Sequence, residues 1–232
     1  MAKRVNPINF RLGFWQTWNI NATFYGKKFR SYIKVLHSKN KLNEYFLNFF
    51  NLAQALGEAT DYKIHKNYWD VTIQLYDYKL KRKVYKLNST LQQLCATSYY
   101  WVNPPLFLNL YNQKSQTNSA LLLYQWIKFY FLKNKTSLKN TINVVESDLL
   151  TILGKNKVNS NKYGLKLTKL RGLKICCKGR LGNLRNPLTQ IFKRVWGSVP
   201  LPKLNSYVDY YQGSILTKRG TYGLQIWMFY SN

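Results

Sequence analysis

Lys178, Arg180, Arg185, Lys193, Arg194, Lys218 and Arg219 crowd the C-terminal third of the sequence, and beyond Asp148 the only acid among them is Asp209. Cations without nearby carboxylates suit one chemistry above others. They neutralise phosphates, release condensed counterions, and grip phosphate oxygens bidentately where the cation is an arginine. A second cationic group, Lys3, Arg4, Arg11, Lys27, Lys28 and Arg30, lies near the N-terminus, interleaved with Trp15, Trp18, Phe24 and Tyr25. Aromatic side chains in that setting can stack on bases, or can pack against a protein body.

Other chemistries lack their residues. The acids are scattered, and His37 and His65 are far apart. No phosphate-cradling Gly-rich loop with its lysine and no nucleophile elbow is present. Cys95 and the adjacent Cys176 and Cys177 have neither the spacing of a zinc site nor an even count for disulfides. They read as small buried thiols, the pair lying inside an apolar strand pattern. The expectation is a binding protein with no cofactor, no metal and no enzymatic activity, NTP hydrolysis included.

The charge balance sharpens this. Lys and Arg number 36 against 8 Asp and Glu, a formal charge of +28 over 232 residues. A compact body repels itself at that charge and calls for a polyanion, nucleic acid before an anionic membrane surface. Apolar residues make up 46% of the chain, too many for a disordered basic tail. The most apolar run, 120–132, is too short for a membrane span and contains Lys128. The N-terminal residues show neither a signal-peptide core nor a transit-peptide pattern. Together with abundant Asn, Tyr, Phe and Lys, which fits AT-rich coding, this leads us to expect an organelle-made protein.

These residues need elements to hold them. Residues 1–40, punctuated by Pro7, Gly13 and Gly26, read as an extended basic arm. Leu42, Tyr45, Phe46, Phe49, Ala53 and Leu56 fall at helical spacing, ended by Gly57. Strands are expected at 62–65 and 71–78, where Val71, Ile73 and Leu75 alternate with polar residues. A basic segment and helix at 79–94, a strand at 104–111, and helices at 120–132 and 138–153 follow. The lysine-rich stretch 155–171 reads as a linker. Beyond it, 172–232 reads as a strand through Cys176 and Cys177, a helix capped by Asn186 and begun by Pro187, and strands near 206–216 and 222–230. In that helix Leu188, Ile191, Phe192, Val195 and Trp196 share one side, and Lys193 and Arg194 point the other way.

The stretch Gly179-Arg180-Leu181-Gly182 has the form of the G-x-x-G clamp of KH domains. It follows a strand and precedes the expected helix, whereas a KH clamp joins two helices, so it reads as a strand-to-helix turn with Arg180 and Arg185 projecting toward RNA. The same residues carry a resemblance. Gly179 to Gly182, then Val199, Pro200 and Leu201, then Leu204, Val208, Asp209 and Tyr210, then Gly220, Gly223, Ile226 and Trp227 resemble, in order, the C-terminal domain of the small-subunit ribosomal protein S-three family. Val5, Pro7, Arg11, Leu12 and Gly13, with Trp18 downstream, resemble the family's opening motif.

The resemblance implies an α+β protein: a prokaryotic-type KH domain of αββααβ order (41–154), the linker (155–171), a small strand-helix-strand-strand domain (172–232), and the N-terminal arm (1–40). The KH domain would be degenerate. The family's glycine clamp should follow the 71–78 strand, where this sequence has "KLKRKVYKLNST", without glycine. Lys79, Lys81, Arg82, Lys83 and Lys86 would then hold phosphates through side chains. The resemblance further implies binding to small-subunit ribosomal RNA. It also implies contact with messenger RNA on its way into the subunit, around Lys133, Lys135 and Lys139, and neighbours of the S-ten and S-fourteen families on the subunit head. It points to a mitochondrial ribosome, with a plastid as the alternative. A free-standing organellar RNA-binding factor for splicing or stability, and a protein held electrostatically at a membrane, are the competing classes.

Overall fold

The computed structural model describes residues 5–13, 16–18, 20–21, 29–53, 56–65, 68–76, 93, 96, 105–112, 119–134, 137–151, 153–161, 164–181, 188–218 and 220–231. The chain divides into two compact units, Trp18–Ser115 and Met1–Thr17 with Gln116–Asn232. Among the described residues no helix is long and apolar enough to cross a membrane.

The first unit contains β1 (Ile20–Asn21), α1 (Phe29–Ala53), β2 (Leu56–Ile64), β3 (Trp69–Tyr76) and β4 (Leu106–Asn112). Its sheet runs β1-β2-β3-β4. β2 and β3 pair antiparallel; β1 with β2 and β3 with β4 pair parallel. Period-two alternation buries Trp69, Val71, Ile73 and Leu75 on one face of β3. Leu42, Phe46 and Phe50, one helical turn apart, meet them from α1. Gly57 does not end the helix. It lies within β2, where a Cβ would come 2.7 Å from the Phe50 ring. The helix also begins at Phe29, so part of the expected extended arm is helical. The expected helix at 79–94 lies in a stretch outside the described residues, apart from Gln93.

The second unit holds α2 (Ala120–Asn134), α3 (Leu138–Leu150), β5 (Asn156–Asn161), β6 (Gly164–Gly179), β7 (Gln190–Gly197), β8 (Tyr207–Thr217) and β9 (Gly220–Ser231). The strand order is β5-β6-β9-β8, with β7 also on β6, and every pairing is antiparallel. The two helices cover one face: Leu123, Ile127, Ile142, Val145 and Leu149 pack on Leu173, Ile175, Cys177, Leu224, Ile226 and Met228. Asp209 accepts the Ala120 N–H at 2.8 Å, and Ser137 caps α3 through the Asn140 N–H. Trp196 Nε1 donates to Glu146 at 2.7 Å, tying β7 to α3.

Two expectations are corrected here. The stretch 155–171 is not a linker but β5 and the first half of β6. Burial alternates there, with Thr168 and Leu170 inside and Leu165, Leu167 and Lys169 outside, but residue type does not follow it, since two leucines are exposed and Lys166 is half-buried. Residues 190–197 form a strand, not a helix. Apolar residues at 191, 192, 195 and 196 fit the helical period, whereas the strand splits them over both faces with Lys193 and Arg194 between; pairing with β6, helped by β-branched and aromatic side chains, decides for the strand. Close approach fixes the junction, since Gly172 and Gly197 oppose each other in register. A Cβ on Gly172 would lie 2.1 Å from the Ser198 carbonyl oxygen.

Candidate nucleic-acid interface

The N-terminal motif and the Val199-Pro200-Leu201 segment, the two ends of the resemblance, meet in the second unit. Asn6 Oδ1 accepts the Ile8 N–H, and one turn of backbone bonds follows, with Arg11 and Leu12 N–H donating to Ile8 O. Gly13, at φ 85°, reverses the chain so that its N–H reaches Gln16 O. This turn brings Arg11 back over Pro7. Its Nη1 donates to Pro7 O at 2.9 Å; its Nη2 donates to Leu201 O at 2.8 Å and Lys203 O at 2.9 Å. Arg11 is 1% exposed. Expected to hold RNA, it is instead an internal clasp, with Nη1 and Nη2 donating to three carbonyls and the buried Nε left without a partner. The P-x-x-x-R spacing, four residues apart, is the signal that could have indicated it.

The sheet face turned away from α2 and α3 is a different surface. Strand register sets side chains there in rows running β7, β6, β9, β8. The first row is Gly197, Gly172, Phe229 and Val208; the second Val195, Lys174, Trp227 and Tyr210. The third is Lys193, Cys176, Gln225 and Gln212; the fourth Ile191, Lys178, Gly223 and Ser214. Phe229 and Val208 are buried, 3% and 0% exposed, although they face away from the helices. The N-terminal turn is pinned at this end by Gln16 Nε2 donating to Val208 O at 2.6 Å. The next rows leave Lys174, Lys178, Trp227, Tyr210 and Gln225 half-buried and Lys193 and Gln212 exposed.

Charge is one-signed. β5 to β9 carry Lys157, Lys166, Lys169, Arg171, Lys174, Lys178, Lys193 and Arg194 against a single acid, Asp209, which is on the helix side at the start of α2. Lys174 Nζ sits 4.9 Å from the Trp227 ring centroid, and the Tyr210 ring lies 5.2 Å from that of Trp227. Gln212 Oε1 accepts from the Tyr210 hydroxyl at 2.8 Å and from Gln225 Nε2 at 3.1 Å. Cys176 and Cys177 are buried free thiols on opposite faces, and burial pushes the Cys177 thiol up to about 12.

The expected site residues separate on this frame. Lys178 and Lys193 share the face. Arg194 is on the other side, its guanidinium 5.5 Å from the Phe192 ring, because neighbours in a strand point oppositely. The expectation that Lys193 and Arg194 point together therefore fails with the helix that carried it. Arg180, exposed, follows the end of β6, and its carbonyl accepts the Tyr222 hydroxyl at 3.0 Å. Lys218 is exposed in the β8–β9 turn. Lys133 and Lys139 are exposed at the end of α2 and the start of α3, in the second unit. Arg30 belongs to the first turn of α1, and Trp18 is exposed. Lys3, Arg4, Trp15, Phe24, Tyr25, Lys27, Lys28, Lys79, Lys81, Arg82, Lys83, Lys86, Lys135, Arg185 and Arg219 lie outside the described residues. Lys174, Trp227 and Tyr210 were not expected as site residues. The period-two spacing of Lys174, Cys176 and Lys178 is the signal that places the first of them.

No family model matches this sequence. It is 32% identical over 234 residues to the small ribosomal subunit protein uS3m of Chondrus crispus, covering 100% of this chain and 95% of that protein. The bacterial uS3 of Geotalea uraniireducens is 24% identical over 229 residues, 99% of this chain and 96% of that protein. That of Neorickettsia sennetsu is 23% identical over 239 residues, 100% and 98% of the two chains. With a relative this similar along its whole length, and with the opening and closing motifs folded against each other, the chain belongs to the uS3 family of small-subunit ribosomal proteins.

Proposed function

We propose that this protein is a structural constituent of the small ribosomal subunit, held there by ribosomal RNA, and not an enzyme. The observation that carries the proposal is the similarity to uS3m over the full chain. The one-signed strands of the second unit support it physically, because such a surface gains a favourable partner only from a polyanion. The greater identity to uS3m than to the bacterial proteins favours a mitochondrial ribosome.

The helix-strand-strand order of the first unit, followed by β4 parallel to β3, fits a KH domain of the prokaryotic type. The expected lysine-rich replacement of its clamp falls at 79–90. Exposed Lys133 and Lys139 suit a path for messenger RNA entering the subunit, where cations favour separated strands without a nucleotide site of their own. Proteins of the S-ten and S-fourteen families are the proposed neighbours.

Gradient sedimentation of an organellar lysate tests the reading. The protein should migrate with small subunits in one-to-one amount at moderate salt and leave that position after RNase treatment. Migration at the top of the gradient in untreated lysate would refute it, and migration with lipid would favour the membrane class.

A further inference from the structure

We infer that the open face of the second unit's sheet, around Trp227, is a binding platform for unpaired RNA, where a base stacks on the Trp227–Tyr210 pair and flanking phosphates meet Lys174, Lys178 and Lys193. The inference deepens the proposed function and rests on its RNA-binding part.

Three observations converge on it. The face holds aromatic surface and cations in adjoining rows: Trp227 lies between Lys174 on β6 and Tyr210 on β8, with Lys193 and Lys178 in the next two rows. Stacking needs a π-face and a nearby phosphate anchor; a base stacking here takes the place of Lys174 over the indole, and the displaced ammonium anchors its phosphate, whereas base-paired RNA offers no free base to stack. Second, the acid that could neutralise these lysines from within the five strands, Asp209, is on the opposite face and spent on the Ala120 N–H. The complement is therefore anionic and comes from outside the sheet. Third, the amides of Gln212 and Gln225, joined at 3.1 Å, stand one row from Trp227, within reach of the edge of a base stacked there.

An apolar protein surface would suit this face less well. Lys174 is drawn over the indole, and Lys178 and Lys193 would each have to be desolvated or paired. Phosphates pair them, and the rows bring the π-surface and the cations within one strand spacing of each other.

The test uses the full-length protein, an unstructured oligoribonucleotide of about ten nucleotides, and a duplex of the same sequence. Affinities are measured across a salt series by fluorescence anisotropy. Wild type should prefer the single strand. Trp227→Ala and Tyr210→Ala should each weaken single-strand binding about tenfold and leave duplex binding unchanged. Replacing Lys174, Lys178 and Lys193 together by Gln should make the salt slope for single strands shallower by about 2, at ~0.7 per phosphate lost. Ultraviolet crosslinking should place a nucleotide on a peptide within 220–231. Circular dichroism confirms folding, and the lysine variant keeps the inference testable if Trp227→Ala misfolds. Equal binding by all variants, with crosslinks elsewhere and salt-dependent RNA binding intact, overturns the platform but not the wider reading, and is the result a protein-docking face would give. Wild-type protein that binds neither RNA would remove the RNA-binding reading itself.

Discussion

Arg11→Met keeps a side chain of comparable reach in the clasp and removes every donor from it. Three carbonyls, those of Pro7, Leu201 and Lys203, lose partners at 2.8 to 2.9 Å. A hydrogen bond from a charged donor contributes roughly 1.5–3 kcal/mol, and an orphaned buried acceptor costs about 1–3 kcal/mol. The sum is not the expected loss. The variant no longer desolvates a charged group on folding, which offsets part of the loss, and the Leu201 and Lys203 bonds are only partly buried, so water can replace some donors. About 2–4 kcal/mol remains.

A ceiling also applies, because the N-terminal turn can detach without unfolding the sheet. The measured global loss saturates at the free energy with which that turn docks. The assay is therefore paired: thermal unfolding of the full chain, and limited proteolysis under native conditions. At about 2–4 °C per kcal/mol for a chain of this size, the melting temperature of the second unit should fall by roughly 4–16 °C. Where docking sets the ceiling, the loss appears instead as faster cleavage around the turn. Arg11→Lys should fall between wild type and Arg11→Met, since one ammonium cannot span acceptors contributed by both ends of the chain. An Arg11→Met protein within about 0.5 kcal/mol of wild type and equally resistant to protease would refute the clasp. Full rescue by lysine would refute the fork.

Gly172→Ala should destabilise by more than about 3 kcal/mol in denaturant titration, because its Cβ would fall 2.1 Å from the Ser198 carbonyl oxygen, a backbone atom held by strand pairing. Glu146→Ala orphans the Trp196 indole N–H and should cost about 1–2 kcal/mol, read from the same titration; a change under about 0.3 kcal/mol would mean that β7 does not depend on α3. Cys177 should resist thiol reagents at pH 8 until the protein unfolds, because its thiol is buried and its pKa is pushed up to about 12. The unfolded thiol ionises first as pH rises past about 9, so the unfolded state binds fewer protons and stability falls, by up to about 1.4 kcal/mol per pH unit until the folded thiol also ionises. Cys177→Ala should flatten that slope; an unchanged slope would assign it to other groups, Tyr124 among them, whose hydroxyl burial also pushes up to about 12.

How much of this was legible in the sequence depended on whether one pattern spoke alone. Where apolar spacing had a single reading, as in Val71, Ile73 and Leu75, the buried face came out correctly; on α1 the spacing named Leu42 and Phe46 but passed over Phe50 and ran on to Leu56, which belongs to β2. Residues 190–197 carry apolar side chains at helical spacing, and what makes them a strand is pairing with β6, which local spacing does not show. In 155–171 the residue types do not track the face they occupy, since Leu165 and Leu167 are exposed and Thr168 is buried, so no amphipathic alternation marked the strands. The acid-poor cationic character of the C-terminal third was plain, but charge does not say which face a cation occupies. Lys193 and Arg194 looked like one patch and lie on two sides of a strand.

Arg11 shows the same limit from the other direction. It stands in a basic arm, in the company of Lys3 and Arg4, and composition alone assigns it to phosphate. What decides otherwise is that four residues separate it from Pro7 and that its guanidinium also reaches two carbonyls of a segment nearly two hundred residues away. The motifs at the two ends of the chain look like independent marks of one family. They are halves of one contact: the opening turn supplies the donors, the carbonyls of Leu201 and Lys203 the acceptors, and Gln16 ties the turn to Val208 O. Val208 pairs with buried Phe229, and the row of Lys174, Trp227 and Tyr210 comes next along the sheet. The clasp is thus joined to one end of that face, and an Arg11 variant that frees the turn should loosen the Val208 end of β8, read as faster amide exchange there than in wild type; unchanged exchange would separate the clasp from the sheet.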